Sequence, residues 1–295
     1  MEPNPHIDSL FYLDVRDRHR DRKGLSLFIQ DFAQTGKKFD LLIDLHSSFR
    51  SKFLSLNINA LRKRRWNSDS FKRRLYVLFH YPFNIHPVTY RYLETLRNLI
   101  PHNEIKPVNY IHYSDPATSR EIEETHPEIK DSILIIPGSQ WFTKMYPAEY
   151  YIKLIRMFSN RNIFILGSES EKELCTMISS KTGATSLTGT FNLKQLTSAI
   201  SLSKAVLTND SGPMHISAGL GIPTVSFFGS TTRGLGFMPG HKNSIVIEDN
   251  TVPCRPCSLH GRKACPKGHF KCMYNLEPEK VFPIIQGWLN EKKDS

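Results

Sequence analysis

The sequence predicts an α/β protein of two domains, each built on a parallel β-sheet. Its 295 residues exceed the length of about 100 to 200 residues that is usual for one domain, so two hydrophobic cores are expected. Hydrophobic residues make up 39% and charged residues 23%, a composition typical of a globular chain. From residue 132 onward, apolar runs of strand length alternate with helical patterns, which predicts parallel strands covered on both faces.

The first domain begins with a predicted strand, helix and strand. Asp8–Val15 and Phe39–His46 are apolar runs of strand length bounded by charged and turn residues. Between them, residues 24–36 carry apolar side chains at helical spacing. Further helices are predicted over 50–58, 70–79 and 87–100, the last ending at Pro101. A stretch with scattered prolines and an acidic run then separates residues 1–128 from 129–295, the two predicted domains.

The second domain alternates regularly between strands and helices. Strands are predicted over 132–136, 162–167, 204–208, 223–228 and 244–248, and helices over 148–158, 169–181, 192–202 and 212–220. Ligands of such sheets bind beyond the carboxyl ends of the strands. The loops after residues 136 and 208 are therefore the first places to look for a binding site.

The loop after residue 136 carries residues suited to a phosphorylated ligand. A small-residue turn over Gly138 and Ser139 supplies hydroxyl and backbone donors, and Lys144 supplies a positive charge that suits a diphosphate. Many loops between a strand and a helix contain Gly, Ser and Lys, so this segment by itself is weak evidence.

The loop after residue 208 leads into a predicted helix whose start suits an anion. Asp210 or Ser211 is placed to cap the helix that Pro213 begins. The free N–H groups and the dipole at a helix N-terminus attract anions. His215 lies in the first turn, where its ring would reach a phosphate or a sugar hydroxyl, and the alternative for a lone histidine is a structural role.

Three segments carry a resemblance to a known family. Residues 210–231, Asp-Ser-Gly-Pro-Met-His-Ile-Ser-Ala-Gly-Leu-Gly-Ile-Pro-Thr-Val-Ser-Phe-Phe-Gly-Ser-Thr, resemble the signature Asp-(Thr/Ser)-Gly-x-x-His-x-Ala of glycosyltransferase family 9, the lipopolysaccharide heptosyltransferases. Residues 137–147 resemble the family's Pro-Gly-(Ala/Ser)-x-Trp-x-x-Lys-x-Trp-Pro, with Tyr146 in place of Trp. The run Cys-Arg-Pro-Cys, followed by Cys-Pro-x-Gly-His-x-x-Cys-Met, resembles the heptosyltransferase II branch.

The resemblance implies a GT-B fold, with two doubly wound Rossmann-like domains facing a cleft. The first domain would bind the acceptor and the second an ADP-activated heptose. Glu171, with Glu169 as the alternative, would bind the ribose, and Phe191 would pack on the base, although a glutamate in a first helical turn is also favoured by the helix dipole alone. The donor-binding residues that the resemblance implies are Ser139, Gln140, Lys144, Glu171, Phe191, Asp210, Ser211, Gly212 and His215.

The resemblance also raises a question about catalysis. Inversion at the anomeric carbon needs a base, which in the family lies in a Gly-x-x-Gly-Asp loop after the first strand. The sequence opens at Asn4-Pro5-His6-Ile7-Asp8, which matches the family beyond that loop, so the first domain is expected to be incomplete at its N-terminus. A misassigned start, a truncated inactive gene and a substitute acid are the alternatives, with Asp44 as the candidate base. No Asp-x-Asp pair is present, so a metal-independent reaction is expected, in which Lys144 and the helix terminus meet the leaving-group charge.

Basic residues are concentrated in one part of the first domain. The formal net charge is +11, and residues 50–74 hold nine basic residues and one acid, a local charge of +8. Such a stretch attracts a polyanion, either nucleic acid, anionic lipid or a phosphorylated glycan, or is simply a solvated helix face. With the resemblance, an anionic lipopolysaccharide core acceptor at the inner membrane surface is expected rather than nucleic acid. The predicted acceptor-binding residues are His46, Arg50, Arg62, Arg64 and Arg65.

Four of the five cysteines lie in one short segment, the Cys loop. Cys254, Cys257, Cys265 and Cys272 follow the spacing Cys-x2-Cys-x7-Cys-x6-Cys, which suits either a structural zinc ion or unligated thiols. The N-terminus lacks a secretion-signal pattern and no apolar run is long enough to span a membrane, so a cytoplasmic protein without a disulfide scaffold is expected.

A glycosyltransferase is thus the leading prediction. A nucleotide-sugar-binding homologue with impaired catalysis is the first alternative. A nucleic-acid-binding protein that uses the basic stretch and the Cys loop is the second.

Overall fold

The computed structural model describes residues 7–101, 114–158 and 161–291. The chain divides into two compact units, Met1–Asp69 with Val88–Pro107 and Ser70–Pro87 with Val108–Ser295. Residues just before 128 pack with the second unit, because Ile122 lies in one of its two hydrophobic clusters together with Ile129. This division by packing differs in detail from the boundary expected near residue 128, which stays a prediction about functional domains.

The first unit contains a small parallel sheet. Its elements are α1 (Arg22–Gln34), β1 (Phe39–Asp44), α2 (Phe49–Asn57), β2 (Ala60–Arg65) and, after α3 (Ser70–Phe79) of the second unit, α4 (Val88–Leu93). The strands β1 and β2 pair in parallel, with Phe39 opposite Ala60 and Asp44 opposite Arg65. The helices predicted over 24–36, 50–58 and 70–79 and the strand from Phe39 are confirmed within two residues at each end.

Three features of the first domain differ from expectation. The segment Asp8–Val15 is not a strand: within the described residues β1 pairs only with β2, so the segment has no ladder to join, and it runs into a turn where Asp14 accepts the N–H groups of Arg16 and Asp17. The strand β2 was not expected, because its basic sequence carries no alternating apolar pattern. The helix predicted over 87–100 stops at residue 93, and Asn98 has a φ of 64° that a helix does not allow.

The second unit is a parallel sheet of six strands. They are β3 (Ile133–Ile136), β4 (Ile163–Ile165), β5 (Thr185–Ser186), β6 (Ala205–Asn209), β7 (Thr224–Phe228) and β8 (Ser244–Glu248), in the spatial order β5-β4-β3-β6-β7-β8. All five pairings are parallel. The five strands expected in this domain are confirmed, and the two-residue β5 is an addition.

Helices cover both faces of this sheet. They are α5 (Pro116–Thr125), α6 (Ala148–Met157), α7 (Lys172–Thr182), α8 (Leu193–Leu202), α9 (Gly212–Gly219), α10 (Lys271–Tyr274) and α11 (Pro278–Glu291). Alternate residues of β3 show the two-sided burial: Ile133 and Ile135 belong to one hydrophobic cluster, and Leu134 and Ile136 belong to the other. The helices predicted over 148–158, 169–181, 192–202 and 212–220 are confirmed, whereas α5, α10 and α11 were not expected.

The strand order creates a switch point between β3 and β6. From β3 the chain builds outward to β5, and from β6 it builds in the opposite direction to β8. The loops after β3 and β6 therefore diverge at their carboxyl ends and leave a crevice, the usual ligand position in a doubly wound sheet. Throughout the three described segments, every helix is too short or too polar to span a bilayer.

Candidate functional site

A cavity of about 480 Å³ opens at this switch point, at the carboxyl ends of β3 and β6. The two predicted loops meet there, and both contribute ligand-type side chains. Its lining residues are Ser139, Gln140, Trp141, Lys144, Asp210, Ser211, Gly212, His215, Phe237, Leu259 and His260. Seven of the nine predicted donor-binding residues are thus brought together in one cavity, called here the donor cavity.

A buried asparagine holds the two loops together. The Asn209 side chain donates to the carbonyl oxygens of Pro137 and Gly138 at 2.7 and 3.3 Å, and its Oδ1 accepts the N–H of Tyr146 at 2.9 Å. A fully buried amide with four possible bonds is costly to leave unpaired. Asn209 therefore fixes the β3 loop against the end of β6, a role that sequence reasoning did not assign.

An ion pair crosses the floor of the donor cavity. Lys144 Nζ lies 2.7 Å from Asp210 Oδ2, and the two side chains are 14% and 6% exposed. The Thr231 hydroxyl donates to the same carboxylate oxygen at 2.6 Å. Asp210 thereby holds the ammonium group at the cavity surface, where it can also meet an anion.

The N-terminus of α9 opens into the same cavity. Ser211 occupies the cap position, but its side chain accepts no helix N–H; its hydroxyl instead donates to the carbonyl of Asn209 at 3.3 Å and lies 3.3 Å from the Thr208 hydroxyl. The expectation that a side chain caps this helix is therefore wrong. Because the cap is missing, the first N–H groups of the helix are available to an anion.

His215 lines the donor cavity, where part of the residue is exposed to solvent and the imidazole is surrounded by protein atoms. Desolvation by this packing lowers the pKa of its imidazole from 6.5, opposed by the carboxylate of Asp210 and assisted by the charge of Lys144. The neutral ring that results can donate a hydrogen bond through one nitrogen and accept one through the other.

A second cavity, of about 890 Å³, lies on the other side of the β3 loop. Ser139 and Gln140 line both cavities, and Glu171 lines the second. The Glu171 carboxylate accepts the N–H and hydroxyl of Ser168 at 2.7 and 2.8 Å. It also covers Gly138, since a Cβ at that glycine would lie 1.7 Å from Glu171 Oε1. A ligand that spans the β3 loop would thus pass from the ion pair to Glu171.

The remaining donor predictions fall elsewhere. Phe191 lines neither cavity; its ring packs edge-on against His126 and on the hydrophobic cluster around Ile122. Glu169 pairs with Lys172 at 2.8 Å on the exposed side of the turn before α7. Contact of Phe191 with a base therefore stays a prediction.

The Cys loop forms one wall of the donor cavity, which sequence reasoning missed. Leu259 and His260 line the cavity, and Gly261 (φ 105°) fits so closely that a Cβ there would lie 2.5 Å from Trp141 Cβ. The buried Arg255 anchors the loop by donating to the carbonyls of Gly229, Phe228 and Thr231 and to Glu248 at 2.9 Å. Arg255 belongs to the Cys-Arg-Pro-Cys sequence, which was the local signal for this anchor.

The cysteines of this loop are buried or half-buried thiols. Burial raises the pKa of Cys257 and raises that of Cys272 to about 12. Cys254 Sγ lies 3.8 Å from His269 Nε2. Among the residues that the structure describes, no three Cys, His, Asp or Glu side chains are arranged to hold a metal ion.

The catalytic candidate Asp44 is fully engaged at the end of β1. Its Oδ1 accepts the N–H groups of His46 and Ser47, and its Oδ2 accepts Ser51 Oγ and Arg65 Nε at 3.0 and 3.1 Å. Burial raises its pKa, but the bonds from Ser47, Ser51 and His46 and the charge of Arg65 outweigh burial and hold the pKa below 3.8. These contacts are those of a structural carboxylate that connects β1, α2 and β2.

The predicted acceptor-binding residues of the first unit are divided between different surroundings. Arg62 and Arg64 are exposed and share one face of β2, because strand side chains alternate. Arg65 lies on the other face, where Asp44 binds it. His46 is exposed beside Ser48, and Arg50 is half-buried in the first turn of α2. Their role in binding an acceptor stays a prediction.

The doubly wound sheet, its switch-point cavity and the uncapped helix end define an α/β unit suited to a phosphorylated ligand. The fold is GT-B-like, as the solved structures of family 9 glycosyltransferases described below show. The model of glycosyltransferase family 9 (heptosyltransferase) matches residues 33–267. The chain belongs to this family and is a glycosyltransferase.

Known relatives agree with this classification. Lipooligosaccharide heptosyltransferase 2 of Campylobacter jejuni serotype O:6 is 30% identical over 261 residues, which cover 84% of this chain and 75% of the relative. A family 9 glycosyltransferase from Veillonella parvula has a similar structure, with a TM-score of 0.77 and 21% identity, covering 99% of this chain and 85% of that chain. The ADP-heptose heptosyltransferase II of E. coli gives a TM-score of 0.68 at 17% identity, covering 98% of this chain and 85% of that chain.

Proposed function

We propose that this protein transfers a heptose, or a related sugar, from an ADP-sugar to a lipopolysaccharide core acceptor. The observation that carries the proposal is the Lys144–Asp210 pair beside the uncapped N-terminus of α9, in one cavity at the switch point. Family membership supports the sugar, and the E. coli relative named for ADP-heptose supports the nucleotide.

The donor is proposed to lie across the β3 loop. Its diphosphate meets Lys144 and the first N–H groups of α9, with Ser139 and Gln140 as further donors. His215 and the Asp210–Gly212 segment contact the sugar and the phosphate next to it. Glu171 accepts the ribose hydroxyls in the second cavity, which the same β3 loop lines.

The reaction is proposed to invert the anomeric carbon without a metal ion. As the glycosidic bond to the diphosphate breaks, negative charge grows on the departing ADP. Lys144 and the helix terminus are positioned to stabilise that charge. A base must take the proton of the acceptor hydroxyl. Asp44 is the candidate within the described residues, although its four hydrogen bonds and lowered pKa favour a positioning role.

The acceptor is proposed to be anionic and to approach from a membrane surface. Arg62 and Arg64 provide exposed positive charge on one face of β2. Attraction through exposed charges is screened over about 8 to 10 Å in physiological salt. Acceptor binding through this stretch should therefore weaken steeply as ionic strength rises, and a flat salt dependence would contradict it.

For the Cys loop, protonated thiols are proposed, with zinc as the alternative. A coordinating cysteine must be a thiolate, so zinc binding would release protons from these cysteines. Elemental analysis of the purified protein decides between them, since one zinc ion per chain would establish a metal site.

Two measurements test the function. Titration calorimetry with ADP should show binding that an oligonucleotide does not displace. Incubation with ADP-heptose and a core acceptor should then release ADP and extend the glycan. Nucleotide binding without transfer would support the alternative, a homologue that binds the donor but is catalytically impaired. Failure to bind ADP would contradict the proposed donor site.

A further inference from the structure

A second groove lies in the same unit, between α3 and the Cys loop. It measures about 470 Å³ and is lined by both basic and apolar side chains. The basic residues are Arg74, His80, Arg262 and Lys267, and the apolar ones include Leu78 and Leu259. None of its described lining residues is an acid.

The charge of this groove follows from its two walls. Residues 251–275 contain five basic residues and no acid, and residues 70–87 contain three basic residues and no acid. Two of these cations are buried and already engaged: Arg255 pairs with Glu248, and Arg73 lies over the ring of Phe237 at 4.8 Å. Arg74, Arg262 and Lys267 are exposed at the groove instead. Their charges reinforce one another there, so the groove favours an anion.

The groove adjoins the donor cavity. Leu259 lines both spaces. Two hydrogen bonds join Arg262 to Thr143, the neighbour of Lys144. The Arg262 N–H donates to the Thr143 hydroxyl at 2.8 Å, and the Arg262 carbonyl accepts the Thr143 N–H at 3.1 Å. A molecule in the groove therefore lies directly beside the position proposed for the donor.

We propose that this groove binds the anionic part of the sugar acceptor, a saccharide that carries phosphate or carboxylate groups. The cations of Arg74, Arg262 and Lys267 would bind the anionic groups, and Leu78 and Leu259 would pack against the sugar faces. The inference rests on the proposed function, because it takes the acceptor to be anionic. It adds a site in the second unit to the basic strand of the first.

The test compares two double variants that remove equal charge from the same loop. Arg262→Ala/Lys267→Ala removes two cations of the groove, whereas Lys263→Ala/Lys271→Ala removes two exposed lysines that do not line it. The probe is a deacylated, phosphorylated lipopolysaccharide core oligosaccharide. We expect the groove variant to bind it about tenfold more weakly, because charge-assisted bonds to phosphate are lost. The control variant should stay within about threefold of the wild type, because Lys263 and Lys271 do not line the groove and attract the ligand only over a longer, screened distance.

Folding and lipid binding are measured on the same proteins. Arg262 Nε donates to the Cys257 carbonyl at 3.2 Å, and the groove variant loses this bond. Thermal unfolding of each variant therefore shows whether a loss of binding comes from a loss of folding. The single variants Lys267→Ala and Lys263→Ala provide a second comparison. Neither removes a described side-chain hydrogen bond, so a fold defect is not expected in either. Vesicles of phosphatidylglycerol replace the oligosaccharide in a parallel arm, which separates a lipid headgroup from a glycan.

The outcomes separate this inference from the proposed function. Equal losses in both double variants, or no oligosaccharide binding by the wild type, would overturn the groove as an acceptor site. So would loss of vesicle binding with unchanged oligosaccharide affinity. ADP affinity should be unchanged in every variant. If ADP failed to bind while the oligosaccharide still depended on Arg262 and Lys267, the donor site would be wrong and the groove would stand.

Discussion

Replacing Lys144 by methionine should weaken nucleotide binding and destabilise the second unit at the same time. The ammonium group lies 2.7 Å from Asp210 Oδ2 and faces the donor cavity. Methionine retains most of the apolar stem while removing the charge. The substitution should lower stability because it leaves the Asp210 carboxylate unpaired, and it should weaken ADP binding because it removes a positive charge from the cavity. A second substitution, at Asp210, separates the two effects.

The expected magnitudes follow from the burial of the pair. With side chains only 14% and 6% exposed, the pair lies between a surface and a buried ion pair. Removing one partner of a buried ion pair costs about 3 to 5 kcal/mol of unfolding free energy. In the Lys144→Met variant the Thr231 hydroxyl still donates to Asp210, so a loss of about 2 to 3 kcal/mol is expected. That corresponds to a fall in Tm of about 5 to 10 °C. For ADP, a charge-assisted bond shared with Asp210 should contribute about 1.5 kcal/mol, or about tenfold in Kd.

Calorimetric titration with ADP and thermal unfolding measure the two effects. The double variant Lys144→Met/Asp210→Asn leaves no unpaired charge, so its Tm should recover while its ADP affinity stays low. Lys153→Met is the control, because Lys153 is an exposed lysine on α6 that pairs with Glu279 away from the cavity. Wild-type ADP affinity in folded Lys144→Met would refute the assignment of Lys144 to the diphosphate.

Three further changes test other parts of the fold. His215→Gln should leave the Tm at pH 7.5 nearly unchanged. Because the pKa of the folded imidazole is lowered from 6.5, the unfolded chain binds more protons below that pH, so acidification to pH 5.5 should lower the stability of the wild type more than that of the variant. An identical dependence of Tm on pH in the two proteins would contradict this. Asp44→Asn should cost about 1 to 3 kcal/mol of unfolding free energy without changing ADP affinity; a stable variant whose transfer rate fell by about 10² to 10⁴ would instead identify the base. Gly261→Ala should lower both Tm and ADP affinity, because the added Cβ would clash with Trp141. Gly268 has a φ of 71° and open space around it, so Gly268→Ala should lose only about 1 to 2 kcal/mol of stability. Equal effects of the two substitutions would refute the role of the close contact between Gly261 and Trp141.

The second domain was largely predictable because its elements have local signals. Each buried strand, such as Ile133–Ile136, is a short apolar run, and helices such as α6 carry regular apolar spacing. Parallel strands align their carboxyl ends, so Lys144 and Asp210 could be expected in one site although 66 residues separate them. The separation of Phe191 from both cavities was not predictable, because the contact of its ring with His126 depends on tertiary packing.

The first domain was less predictable because its strands lack a distinctive pattern. β2 consists mainly of exposed basic residues, and only its pairing with β1 makes it a strand. Asp8–Val15 has the apolar composition of a strand but finds no described partner, and strand formation depends on partners more than on composition. Asp44 was likewise the candidate base from its place at a strand end, and only the tertiary structure shows its bonds with Ser51 and Arg65.

The sequence by itself determined the fold class, five strands and four helices of the second domain in their order, the family, and the side chains at the two strand ends that make the donor cavity. Those properties depend on the spacing of residues close together along the chain. Only the tertiary structure decided that the Cys loop closes the cavity, that Arg255 anchors this loop to β7 and β8, and that the loop shares a basic groove with α3. These contacts join residues far apart in sequence, and packing and buried hydrogen bonds in three dimensions determine which of them form.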